Sequence, residues 1–158
     1  MISFALADPG DLVRQAHDVG SLVMLQVTTV AQAIQAAERG VDVIIAQGGE
    51  AGGYCGGSVR PLVPQVVDAV SPVPVVAAGG IFDGRGIAAA LMLGAVGVNL
   101  GTRFITSTEA PAPEEWKQAI TAVKSEDAIK VDVINDISPL PGTEGFHSAA
   151  LSADSFLG

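Results

Sequence analysis

Short runs of aliphatic and β-branched residues alternate with amphipathic segments through the first two thirds of the chain. The run ISFAL precedes DPGDLVRQAHDVG, in which Asp-Pro-Gly opens a predicted helix and Gly20 closes it. LVMLQV precedes TTVAQAIQAAERG, with Thr28 or Thr29 as N-cap and Gly40 as terminator. VDVIIAQ reads as a third strand. PLVPQVVDAVS reads as a helix that accepts Pro64 only in its first turn. VPVVAAGGI is a fourth strand, DGRGIAAALMLG a helix from an Asp83 N-cap to Leu93, and AVGVNLGTRF a fifth strand. Strands this continuously apolar are covered on both faces, and crossover helices between them make them parallel. The expected class is α/β.

The last third differs. TSTEAPAPEEWKQAITAVKSED reads as a solvated helix start and a helix packed through Trp116; VINDISPLPGTEGFHSAALSADSFLG has few periodic apolar positions and reads as an irregular tail. Each strand-helix unit repeats the architecture without repeating residues.

Composition narrows the function classes. A chain of 158 residues, 49% hydrophobic and 16% charged, has enough apolar material for one core. Its net charge of -9, with only 8 Lys and Arg, argues against a sequence-independent grip on nucleic acid or an anionic membrane. A single cysteine excludes an internal disulfide framework and suits a reducing compartment. With no signal-like segment and no membrane-length apolar run, a cytoplasmic protein is expected.

The candidate chemistry sits at the strand ends. QGGEAGGYCGG, residues 47–57, holds 6 glycines directly after the third strand, and AAGGIFDG and NLGTRF end the next two. In α/β folds ligands bind outside the carboxyl ends of the strands. One glycine pair there is ordinary turn chemistry. Three in succession favour a shared anion site, because bare main-chain N–H groups and helix N-termini hold a phosphate without any lysine. A Walker loop is excluded because no Gly-Lys occurs; a nucleophile elbow needs G-x-S-x-G, also absent. The dinucleotide fingerprint fails because VPVVAAGG offers no carboxylate.

The stretch GVDVIIAQGGEAGGYCGG, followed by LVPQVVDAVSPVPVVAAGGIFDGRGIAAALMLGAVGVNLGTRFITSTEA, resembles the nitronate monooxygenase (2-nitropropane dioxygenase) family of FMN-dependent TIM barrels from about Ile2 to Ala110. The resemblance implies an incomplete (β/α)8 barrel of about five strand-helix units, with residues 1–110 as a partial FMN-binding domain and 111–158 as helix and irregular tail. It assigns the FMN phosphate to Gly79, Gly80, Asn99, Leu100, Gly101 and Thr102, and the flavin side of the preceding loop to Gln47, Gly52 and Gly53. It further implies oxidation of alkyl nitronates with O2 to a carbonyl compound and nitrite. Two alternatives stay open: a flavin-dependent enoyl-(acyl carrier protein) reductase, and a non-catalytic half-barrel that binds FMN or phosphate weakly.

Two departures from the family pattern bear on activity. Tyr54 stands where the family carries a histidine beside the flavin, and an ordinary tyrosine, with a pKa of about 10 against about 6.5, is a poor base at neutral pH. It remains a hydrogen-bond donor to a nitronate oxygen, and a nitronate needs no base. Cys55 beside it reads as a small loop filler. The second departure is length, since a complete barrel takes about 250 residues. Open edges then lead to self-association, domain swapping or pairing with a missing half-barrel. The remaining candidates read as structural: His17 on a solvated helix face, His147 in the tail, Glu50 fixing the glycine loop, and Arg103 pairing with phosphate or with Glu109. No metal site is expected.

Overall fold

A computed structural model describes residues 1–5, 7–55, 59–124, 128–131 and 147–151. Five strands, β1 (Ile2–Phe4), β2 (Val23–Val27), β3 (Val43–Gln47), β5 (Val75–Ala78) and β6 (Gly97–Asn99), form one parallel sheet in the order β1-β2-β3-β5-β6. Helices α1 (Leu12–Asp18), α2 (Val30–Glu38), α3 (Val59–Val70) and α4 (Gly84–Met92) are the crossovers. This is the parallel α/β sheet that the apolar periodicity predicts, and it fits the incomplete barrel that the resemblance implies.

Burial follows the sequence pattern. Val23, Val27, Ile44, Ile45 and Val75 from the strands and Val63 and Val66 from α3 are the largest side chains almost wholly removed from solvent. The α2 helix faces the core through Ala33 and Ala36, small residues that let it lie close to its neighbours. It starts where Thr29 predicts: the Thr29 hydroxyl accepts the Gln32 N–H at 3.2 Å, while Gln32 Oε1 accepts the N–H of Thr28 at 2.8 Å and of Thr29 at 3.2 Å. Gly40, at φ +79°, turns the chain out of the helix.

Several local expectations are corrected. The α3 helix begins at Val59, so Pro64 lies beyond its first turn and one main-chain rung is missing there. The fifth strand ends at Asn99, and Thr102–Ile105 forms a short helix, α5. Trp116, on α6 (Glu114–Ala122), is 57% exposed rather than packed. The glycine loop runs into a further strand, β4 (Gly53–Cys55); the tail read as irregular contributes β8 (His147–Leu151), and the residues just ahead of that tail form β7 (Ala128–Val131). These form a separate antiparallel sheet in the order β4-β8-β7.

His17 is not simply solvated. Its Nε2 lies 2.8 Å from Asp42 Oδ2, and the same oxygen accepts the Val23 N–H at 2.7 Å, so one carboxylate joins α1 to the starts of β2 and β3. The Val23 N–H, and then His17, hold the Asp42 carboxyl below its ordinary 3.8. That stabilisation is present above the ordinary value and is lost as pH falls through the lower folded value. Asp42→Ala is expected to cost about 2 kcal/mol at neutral pH. In urea titrations from pH 7 down to pH 3, parent and variant should converge in acid; a constant gap would contradict the assignment.

Candidate functional site

The parallel register brings three strand ends into one row. Gln47 on β3 is the partner of Ala78 on β5, which is the partner of Asn99 on β6. Gln47 is 5% exposed, whereas Asn99 is open to solvent. The loops that follow lean on one another. The Gly48 N–H donates to the Ala78 carbonyl at 3.0 Å, and the Ala51 N–H donates back to the Gly48 carbonyl at 3.0 Å.

The glycines after β5 are required by this packing. Gly79 has φ +108°, and a Cβ there would stand 2.9 Å from Ala51 N, 3.1 Å from Ala51 Cβ and 3.2 Å from the Gly48 carbonyl oxygen. Gly80, at φ +64°, would place a Cβ 3.1 Å from Glu50 Cβ. A Cβ on Gly52 would meet Thr102 Oγ1 at 3.5 Å, so the β3 loop also reaches the start of α5. Gly53 opens β4. Of the residues expected at the site, Gln47, Gly52, Gly79, Gly80 and Thr102 are thus placed together with Asn99, with Leu100 and Gly101 in the loop between Asn99 and Thr102. Sequence reasoning missed Gly48 and Ala51 as the groups that demand a bare Gly79; doublets of glycine signal close approach without naming the neighbour.

Helix α4 does not offer its N-terminus to a ligand. Asp83 Oδ1 accepts the N–H of Arg85 at 2.9 Å and of Gly86 at 3.3 Å, as its N-cap reading predicts. Arg85 clasps the same carboxylate, with Nε 2.9 Å from Oδ2. This side-chain bond, and then the Gly86 and Arg85 N–H groups, hold Asp83 low, and Asp83 in turn raises Arg85. The free donors lie elsewhere. Among the described residues, the main-chain N–H groups of Gly80, Gly101 and Thr102 have no hydrogen-bond acceptor. A Cβ added to Gly101 would meet nothing within 4 Å, so this backbone stands in open space.

Arg103, the nearest cation in sequence, is exposed and forms no ion pair with a described residue. The alternative partner, Glu109, instead accepts the Thr108 hydroxyl at 3.1 Å; its own N–H, then the Thr108 and Ser107 hydroxyls, keep it below its usual range. Tyr54 takes its place on β4 as the register partner of Ser148, with Cys55 opposite His147. Among the described residues no cluster of three metal-ligating side chains forms, and no helix is long and apolar enough to cross a membrane.

A five-stranded parallel sheet with crossover helices and glycine loops at the carboxyl ends of its strands places the chain in the α/β class, as an incomplete barrel. A family model described as nitronate monooxygenase matches residues 1–137, and the chain belongs to that family. It is 43% identical over 129 residues to a Staphylococcus saprophyticus protein named "probable nitronate monooxygenase", covering 74% of this chain and 36% of the relative. The structure of FabK from Thermotoga maritima superposes with a TM-score of 0.84 at 33% identity, over 94% of this chain and 45% of that one. The nitroalkane oxidase of Streptomyces ansochromogenes gives a TM-score of 0.68 at 34% identity, over 81% and 38%. The chain therefore spans less than half the length of each.

Proposed function

We propose that the chain is the phosphate-binding part of an FMN-dependent oxidoreductase that converts alkyl nitronates and O2 to a carbonyl compound and nitrite. The observation that carries this reading is the group of open main-chain donors at Gly80, Gly101 and Thr102, beside the row of Gln47, Ala78 and Asn99. Such a cradle suits a dianionic phosphate in an acidic protein, since its charge comes from peptide dipoles and not from lysine. Family membership and the likeness to a nitroalkane oxidase support the nitro substrate.

The residues fit FMN: Gly80, Gly101 and Thr102 would hold the phosphate, with Asn99 and Leu100 in the same loop, while Gln47, Gly52 and Gly53 would border the ring. When bound, the flavin supplies the electron transfer between substrate and oxygen. Tyr54 donates a hydrogen bond to a nitronate oxygen and steadies its negative charge. It has no proton to remove, because the nitronate arrives already ionised.

The test compares FMN with riboflavin by quenching of flavin fluorescence. FMN is expected to bind at least about tenfold more tightly, a difference of about 1.4 kcal/mol attributable to the phosphate. Equal affinities would remove the cradle. Oxygen uptake and nitrite release with propionate-3-nitronate then test turnover, and binding without turnover would leave a flavin-binding half-barrel.

A further inference from the structure

Helix α6 has two unlike sides. Ala119 and Ile120 lie on a half-buried one, while Glu114, Lys117, Gln118 and Thr121, spaced i, i+3, i+4 and i+7, form a polar stripe. A polar stripe ordinarily faces open water. Here it faces the loop of residues 106–108 that continues from α5, and a cleft of about 290 Å³ lies between them. The Lys117 ammonium crosses to that loop and donates to the Ser107 carbonyl at 2.7 Å. It is half-buried and has no other partner among the described residues, so two of its three N–H donors remain unused. That is out of pattern in a chain with 17 acidic and 8 basic residues, where a carboxylate partner is easily found. The side chains of Glu114, one turn earlier, and of Gln118 likewise have no partner among the described residues.

We infer that this cleft is a binding site for a small zwitterion of the α-amino-acid type, whose carboxylate meets Lys117 and the Gln118 amide and whose ammonium meets Glu114. The charges select the class. A dicarboxylate would set its second negative charge against Glu114, and a simple amine would set its charge against Lys117; a molecule carrying one charge of each sign satisfies both. Residues three apart on a helix hold their Cβ atoms about 5–6 Å apart, a span that one amino acid bridges. The hydroxyls agree. Thr121 donates its proton to the Lys117 and Gln118 carbonyls at 3.0 and 2.9 Å, and Thr106 donates to the Arg103 carbonyl at 2.9 Å. Toward the cleft both therefore offer acceptors only, which suits an ammonium group. Volume sets the size: about 290 Å³ lies at the lower end of ligand pockets, enough for an amino acid and too little for a dinucleotide. The cleft shares no residue with the cradle at Gly80, Gly101 and Thr102, so the inference holds whether or not flavin binds.

The experiment titrates the 158-residue chain with L-serine and follows amide NMR shifts, with acetate and ethanolamine as probes that carry one charge each. L-Serine is expected to bind with a Kd below about 1 mM, and each single-charge probe at least about tenfold more weakly. The shifts should concentrate at residues 106–108 and 114–121. Glu114→Gln, at an exposed position, should weaken L-serine at least about tenfold without weakening acetate, while circular dichroism stays unchanged. Lys117→Met should weaken both; if losing the tie to Ser107 loosens the loop, the Glu114 variant still decides. Failure of L-serine to saturate by about 10 mM, an equal affinity for acetate, shifts centred on Gly80 and Gly101, or indifference to Glu114→Gln would each overturn the inference and leave a solvated helix face.

Discussion

Gly79→Ala is expected to destabilise the chain by at least about 3 kcal/mol, the largest effect of any single methyl group at the candidate site. Two costs combine. At φ +108° an L side chain is strained wherever it is placed, and here the added Cβ also falls 2.9 Å from a main-chain nitrogen that is itself fixed to the Gly48 carbonyl. Backbone cannot swing aside as the end of a long side chain can, so either the β3 loop or the end of β5 must move. Against a typical total of about 5–15 kcal/mol, such a loss is severe. The companion variant Gly101→Ala separates folding from binding. Its backbone has negative φ and nothing lies within 4 Å of the new methyl, so stability should change by less than about 0.5 kcal/mol while FMN affinity falls. Urea midpoints and flavin titrations on both variants check the pair. A Gly79→Ala midpoint equal to the parent's would show that the β3 loop is not held as described.

Tyr54→His is expected to raise the oxidation of neutral nitroalkanes by about 100-fold or more, with a much smaller change on pre-ionised nitronates. The reasoning is a matter of protons. A neutral nitroalkane must lose the proton next to the nitro group before electrons can leave, and an ordinary imidazole near pKa 6.5 is largely free to take it at pH 7, whereas a phenol near 10 is not. The nitronate skips that step. Comparing kcat/KM for the two substrate forms in the FMN-loaded protein therefore isolates the base. Equal gains on both forms would mean that residue 54 acts on binding and not on proton removal.

The alternation of strands and helices was legible because each central strand is a continuous apolar run and each helix carries its own punctuation. Thr29, Gly40 and Asp83 do locally what their residue types predict, within a few residues of chain. The failures have long-range causes. NLGTRF continues an apolar strand by composition, yet the chain coils at Gly101 and, among the described residues, β6 pairs with β5 alone. Trp116 is expected to pack its helix, but burial depends on what lies opposite, and 57% of it remains exposed. His17 finds Asp42 across 25 positions, a pairing no local pattern announces. The glycine loops occupy an intermediate case: their need for close approach can be read from the residues, but whether the approaching group is a ligand or a neighbouring loop cannot. At Gly79 it is the neighbouring loop, and at Gly101 the backbone stays open.

The β4–β8 pairing carries a kinetic consequence. All five strands of the parallel sheet lie within the first 99 residues, so they can assemble while the rest of the chain is still being synthesised. Tyr54 must wait for Ser148, far along the chain, before its own strand has a neighbour among the described residues. Contacts so distant in sequence form late, because the intervening loop must close first. The parallel sheet is ready early, and the strand that carries Tyr54 is the last part to be set in place.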